Sequence, residues 1–176
     1  MVESGALWGA VDEGPGKRLL KTMSSTETIT PIYYSSTFRH GVDDKRRVQV
    51  PAKWRPHQPD VELTLILWPS AGIPDACLLV LPPEEMAQLV GKLKAMPFAD
   101  PKAESLRRLL GRKSASVTLD KSGRICLPDQ MAKAVGIEKE AVFVGLMDRF
   151  EIWNPERLEQ ASTVDDALQS EAFKLI

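Results

Sequence analysis

Leu119-Asp120-Lys121-Ser122-Gly123-Arg124-Ile125-Cys126-Leu127-Pro128 has a partial copy earlier in the chain, Val42-Asp43-Asp44-Lys45-Arg46-Arg47-Val48-Gln49-Val50-Pro51. A shift of 77 residues places Asp43 on Asp120, Arg47 on Arg124, Val48 on Ile125, Val50 on Leu127 and Pro51 on Pro128. Each copy is an apolar residue, an Asp, a short polar turn and an Arg four residues after the Asp. Alternating apolar residues closed by Pro follow. An internal repeat decides how the rest of the chain is divided, so it comes first.

Outward from the two copies the same plan recurs. Thr37-Phe38 and Ser116-Val117-Thr118-Leu119 precede the turns as strands, and Val48-Gln49-Val50 and Ile125-Cys126-Leu127 follow them as strands. Ile32-Tyr33-Tyr34 also favours strand. Short helical segments come next, Ala52–Arg55 in one copy and Pro128–Val135 in the other, the second stopped by Gly136. A hairpin completes each copy. In the first, Val61–Trp68 and Cys77–Leu81 flank a loop over Pro69–Asp75; in the second, Ala141–Leu146 and Phe150–Trp153 flank Met147-Asp148-Arg149.

Two helices lie between the copies. One opens at Pro82-Pro83-Glu84-Glu85 and carries Met86, Leu89, Val90 and Leu93 as a single stripe. The other follows Asp100-Pro101 and is expected to bury Leu106, Leu109 and Leu110. Asn154-Pro155-Glu156 caps a last helix, and from about Ser162 the chain is acidic and weakly patterned. The predicted divisions are a flexible N-terminal extension over 1–31, repeat one over 32–83, a helical connector over 84–112, repeat two over 113–160, and an acidic mobile tail over 161–176. Met23, followed by Ser24-Ser25-Thr26, is a second candidate start. The fold class is mainly β with short helices (α+β). A module of this size buries too little core by itself, which predicts two copies interlocked around a shared core with a pseudo-twofold axis between them.

Charge is unevenly spread. The 176 residues carry a net charge of −1. Residues 39–55 hold six basic and two acidic side chains, residues 102–124 seven and two, and residues 151–176 two and six. The positive charge therefore gathers at the two motifs, as expected of a nucleic-acid-binding surface. No apolar run is long enough to cross a membrane and no secretory signal opens the chain, so a cytoplasmic location is expected. Cys77 and Cys126 sit in apolar strand-like runs and are expected as buried free thiols. His40 and His57 are the only histidines, and with no CxxC or paired acids at usable spacing the chain is predicted to be no enzyme and to need no cofactor or metal.

The chemistry of the motif has two sides. An Asp in a turn accepts backbone N–H groups of the residues just after it. Gly123 can adopt positive φ and let the chain reverse before Arg124. The Arg then leaves at the start of a strand, where its fork of donors can face phosphate or a guanine edge. Lys121 stands beside Arg124, and Lys45 and Arg46 stand beside Arg47. The same spacing also lets Asp43 pair with Arg47, and Asp120 with Arg124, simply to hold the turns. Adjacent Glu84 and Glu85 are dipole partners of a helix. His40 packs or is solvated, and Trp54, Trp68 and Trp153 are core or subunit contacts.

The segment Thr37–Pro51 resembles the first signature of the MraZ family of bacterial transcriptional regulators, which contain two AbrB-type repeats, and Asp120–Pro128 resembles the second. Leu109-Leu110-Gly111 and Phe150-Glu151-Ile152-Trp153 are also similar to the family pattern. The resemblance implies a swapped-hairpin, AbrB-like β-barrel, a ring-shaped homo-oligomer, and binding of double-stranded DNA at short direct repeats in the promoter of the cell-division and cell-wall gene cluster. It implies a nucleoid-associated protein with no membrane or small-molecule substrate as partner. Carried over, the DNA-binding residues are Lys45, Arg46, Arg47, Lys121 and Arg124, and the turn residues are Asp43, Asp120 and Gly123. The family's Gly before the Arg is Gly123 in copy two but Arg46 in copy one, which predicts unequal contributions from the two copies. The N-terminal extension is a second departure. The AbrB resemblance also admits an antitoxin-like DNA binder, and the net charge of −1 with the acidic C-terminal segment admits an oligomeric interaction scaffold that binds no DNA.

Overall fold

The computed structural model describes residues 31–176. The predicted N-terminal extension up to residue 30, and with it Met23, lies outside the described residues. In chain order the elements are β1 (Thr37–Gly41), β2 (Arg47–Gln49), a 3-10 turn (Ala52–Trp54), β3 (Leu63–Ser70), β4 (Ile73–Leu81), α1 (Pro83–Ala95) and α2 (Pro101–Arg112). They continue as β5 (Ser114–Val117), β6 (Arg124–Cys126), α3 (Asp129–Ala134), β7 (Glu140–Gly145), β8 (Phe150–Trp153) and α4 (Pro155–Ala172), closed by a 3-10 turn over Phe173–Leu175. The protein is thus mainly β with short helices.

Strand pairing crosses between the halves. β1 of the first half pairs with β7 of the second, and β5 of the second pairs with β3 of the first. β2 and β6, one from each half, form a two-stranded antiparallel ribbon centred on Val48 opposite Ile125. These two residues are 77 positions apart, so the centre of the ribbon lies where the repeat maps onto itself. Neither half contains all the partners of its own strands, which is how a short module acquires an adequate core. The six long strands run in the order β1-β7-β8-β4-β3-β5. β1 and β5 are its two edges, so the closed barrel is replaced by an open sheet with the ribbon packed against it.

Alternation along the strands explains the apolar runs. Leu63, Leu65, Leu78, Val80, Phe143, Phe150 and Ile152 face a core completed by Val48, Val50, Ile125 and Leu127 of the ribbon and by Met131, Ala132, Val135 and Ile137 around α3. The opposite sheet face is also covered. Ile66, Leu79 and Leu81 lie beneath Met86, Leu89 and Leu110, while Cys77, Val142 and Trp153 lie beneath Leu158 and Ala161. A sheet buried on both faces needs apolar residues at consecutive positions rather than every second one. Trp54, fully buried, is the hub of the main core, with ring centroids of Tyr34, Phe38 and Phe150 at 5.7, 5.2 and 5.2 Å.

Four further expectations change. Ile32–Tyr34 is not a strand; Tyr34 makes a single bridge to Met147. The loop over Pro69–Asp75 contracts to Ala71-Gly72, both at positive φ (49° and 74°), because two such residues match the twist of a hairpin. In α2 only Ala103 is buried and Leu109 is 46% exposed, since just one edge of this helix reaches the sheet. The acidic segment after Ser162 continues as α4 to Ala172, exposed from Thr163 onward. Asn154 starts that helix by accepting the Glu156 and Arg157 N–H groups at 2.9 and 3.1 Å. Among the described residues no helix is long and apolar enough to cross a membrane.

Candidate nucleic-acid interface

Both motif turns are built the same way. In the first, Asp43 Oδ1 accepts the backbone N–H groups of Lys45 and Arg47, each at 2.9 Å. Asp43 Oδ2 accepts Arg47 Nε and Nη2, both at 2.7 Å. In the second, Asp120 Oδ1 accepts the Ser122 and Arg124 N–H groups at 2.9 and 3.0 Å, and Oδ2 accepts Arg124 Nε and Nη2 at 2.9 and 2.8 Å. The backbone N–H of Arg124, and likewise that of Arg47, contributes most to holding each Asp below the usual carboxylate range, with the guanidinium adding to it. The local ion pair is therefore formed in both copies. It commits one edge of each guanidinium to the turn and orients the rest of the group.

The turns are also tied across the pseudo-twofold. The Leu127 N–H donates to the Arg46 carbonyl at 2.9 Å, and the Val50 N–H donates to the Gly123 carbonyl at 3.0 Å. These bonds map onto one another through the repeat. Arg46 and Gly123 both have positive φ, 56° and 76°, so the first copy adopts the left-handed conformation without glycine.

Side-chain contacts show how. Arg46 Nε donates to Asp129 Oδ1 at 2.6 Å, and its Nη1 reaches the Ile137 carbonyl at 3.4 Å. This anchors the strained residue to the opposite half. Lys133 and then Arg46 keep the Asp129 carboxyl below its ordinary range. Arg46, expected among the DNA-binding residues, also tethers the two halves through these contacts. Gly123 is needed for another reason as well. A Cβ there would lie 2.5 Å from Arg55 Cζ and Nε, because the Arg55 side chain lies over the turn and donates from Nε to the Val50 carbonyl at 3.0 Å.

Because Val48 and Ile125 are fully buried, alternation turns Arg47, Gln49, Arg124 and Cys126 to the other side of the ribbon. This overturns the expectation for Cys126. Its thiol is exposed, since the ribbon is covered on one face only, whereas Cys77 is buried and burial pushes its thiol up. The Arg47 and Arg124 side chains are 34% and 30% exposed. Lys45 and Lys121 are exposed on the turns, and among the described residues neither joins an ion pair. His40 stacks edge-on against Phe143 at 5.6 Å, and burial lowers its pKa. Gln49 and Arg55 were missed by the sequence pattern. Only the register, which sets Gln49 opposite Arg124, and the fold-back of Arg55 onto Gly123 bring them to this surface. Among the described residues no cluster of three His, Cys, Asp or Glu side chains could hold a metal.

The assembly defines a class: an internally duplicated, mainly β protein in which the two halves exchange strand partners and carry paired Asp–Arg turns on one ribbon. The family model "MraZ protein, putative antitoxin-like" matches residues 112–173. "Transcriptional regulator MraZ" of Thermomicrobium roseum is 35% identical over 119 residues, covering 68% of this chain and 80% of the relative. The proteins of that name from Desulforamulus reducens and Moorella thermoacetica are 32% and 31% identical, covering 76% and 81% of this chain and 90% and 96% of their own lengths. The chain belongs to the MraZ family.

Proposed function

We propose that the chain is a sequence-specific, non-enzymatic DNA-binding transcriptional regulator, and that the β2–β6 ribbon with its two turns is the DNA-reading element. The observation that carries this is the paired geometry. Two Asp-locked turns at opposite ends of one ribbon present Lys45 and Arg47 at one end and Lys121 and Arg124 at the other. A two-stranded ribbon fits the major groove, and cations at both ends can meet phosphates on either side of it. Arg46 belongs to this element as the residue that fixes the first turn. Membership in a family whose relatives are named transcriptional regulators supports the same reading.

The finer picture is also a proposal. The protein assembles as a ring-shaped homo-oligomer that engages successive direct repeats in the promoter of the division and cell-wall gene cluster, so that avidity multiplies modest contacts per subunit. It works in the cytoplasm on the nucleoid, with the repeats spanning 32–83 and 113–160. Fluorescence anisotropy on a duplex from its own upstream region, with mass photometry of the same samples, tests this. The Lys45→Ala/Lys121→Ala variant should bind more weakly and lose about 0.9 of the log–log salt slope for each phosphate contact removed. Unchanged affinity and slope would refute the assignment, and a monomeric protein would refute the ring. A second reading, an antitoxin-like DNA binder whose acidic α4 meets a toxin, draws on the description of the matching family model. Co-purification of a small basic partner with the native protein would favour it.

A further inference from the structure

The pseudo-twofold ribbon is broken at one pair of outward-facing positions, Gln49 and Cys126, which the repeat maps onto each other. Both side chains do the same local work. Gln49 Nε2 donates to the Ser122 carbonyl at 2.8 Å and to the Gly123 carbonyl at 3.1 Å. Cys126 Sγ lies 3.3 Å from the Lys45 carbonyl, and Lys45 is the repeat equivalent of Ser122. Each residue thus ties down the turn of the opposite copy. What they have left over differs.

The orientation of the Gln49 amide is dictated by its partners. Both groups beneath it are carbonyl oxygens, which accept and cannot donate, so only the NH2 end can face them. Its Oε1 is left as an acceptor directed away from the turn. Cys126 has no second polar atom to offer. Gln49 lies opposite Arg124 in the ribbon, and Cys126 lies opposite Arg47. One end of the ribbon therefore pairs an arginine with a fixed acceptor, and the other pairs an arginine with a compact thiol.

Resting on the DNA-binding reading above, we propose that Gln49 is a specificity-determining residue. Its Oε1 accepts a hydrogen bond from an exocyclic amine in the major groove, N6 of adenine or N4 of cytosine, and Cys126 makes no matching contact. Guanine O6 and thymine O4, which are acceptors, are rejected at that position. A twofold ribbon would read an inverted repeat; this one reads its site with a direction. Each subunit then distinguishes the two orientations of its DNA element.

The repeat itself supplies variants with compatible geometry. Gln49→Cys copies the side chain that already ties down the first turn, and Cys126→Gln copies the one that ties down the second. Full-length wild type and both variants are taken, under reducing conditions, through binding-site selection from randomised duplexes. Anisotropy titrations on the selected duplex follow, with each base pair changed in turn. Wild type is expected to prefer adenine or cytosine at one position by roughly two- to tenfold, the range of a single neutral hydrogen bond. Gln49→Cys should abolish that preference, so that duplexes carrying any of the four bases at that position bind with equal affinity. Cys126→Gln should add a second such position, on the opposite strand and related by inversion.

If wild type selects a defined site but Gln49→Cys keeps every base preference, the role of Gln49 is overturned and the DNA-binding reading stands. If wild type binds neither random nor selected duplexes, both fall. Urea denaturation of the Gln49→Cys protein separates a lost base contact from a loosened turn. Loss of binding to random DNA together with reduced stability would assign Gln49 to the turn alone and overturn the proposal.

Discussion

Gly123 is where backbone conformation and packing meet at the proposed DNA surface, and its replacement by Ala separates the two. The residue sits at φ 76°, where a Cβ costs about 1–2 kcal/mol. The added carbon would also lie 2.5 Å from Arg55 Cζ and Nε, which forces the guanidinium aside and breaks its 3.0 Å bond to the Val50 carbonyl. A hydrogen bond from a charged donor contributes about 1.5–3 kcal/mol, scaled down here because the Arg55 side chain is only partly buried. Gly123→Ala should therefore destabilise by about 2–4 kcal/mol. Gly72→Ala is the internal control. Its φ is 74° and nothing lies within 4 Å of the new Cβ, so it should cost only the conformational part, about 1–2 kcal/mol. Urea unfolding at one fixed protein concentration measures both. In an Arg55→Ala background the cost of Gly123→Ala should fall to that of Gly72→Ala, a coupling of about 1–2 kcal/mol. Equal costs for the two glycine variants in the wild-type background would refute the claim that Arg55 closes over the turn.

Other outcomes follow from the same structure. Asp43 and Asp120 have depressed pKa values because the Arg47 and Arg124 N–H groups favour the charged form. The stability they contribute is complete above the ordinary carboxylate pKa and is lost as pH falls through the lower folded value; Asp43→Asn/Asp120→Asn should flatten the acid limb of a Tm-against-pH curve. Glu151 is shifted the opposite way by burial. Its stabilising influence belongs to the protonated form and disappears as pH rises through the raised value, so Glu151→Gln should raise Tm at pH 7 and change little below pH 4. A thiol-reagent titration of the native protein should modify Cys126 quickly and Cys77 only after unfolding, in line with their exposures; equal rates would contradict the alternation of the ribbon. Trp54→Ala should cost about 3–5 kcal/mol in urea unfolding, as truncation of a fully buried tryptophan does.

The repeat, its 77-residue offset, the element order, the helix caps at Asp100 and Asn154 and the paired Asp-turn-Arg were all legible in the chain, because each rests on interactions between neighbours in sequence. The acid four residues before its arginine needs no distant partner to close the turn. Tertiary structure alone decided where each strand goes. β1 pairs with β7, β5 with β3 and β2 with β6, across separations that no local pattern encodes. That pairing exposes Cys126 and covers Gly123 with Arg55. It also ties Arg46 to Asp129 of the other half. Leu109 shows the same limit: its helical spacing matches a buried stripe, yet the sheet reaches only one edge of α2. Local chemistry determined the shape of each turn. Long-range packing determined which side chains those turns leave exposed on the proposed DNA surface.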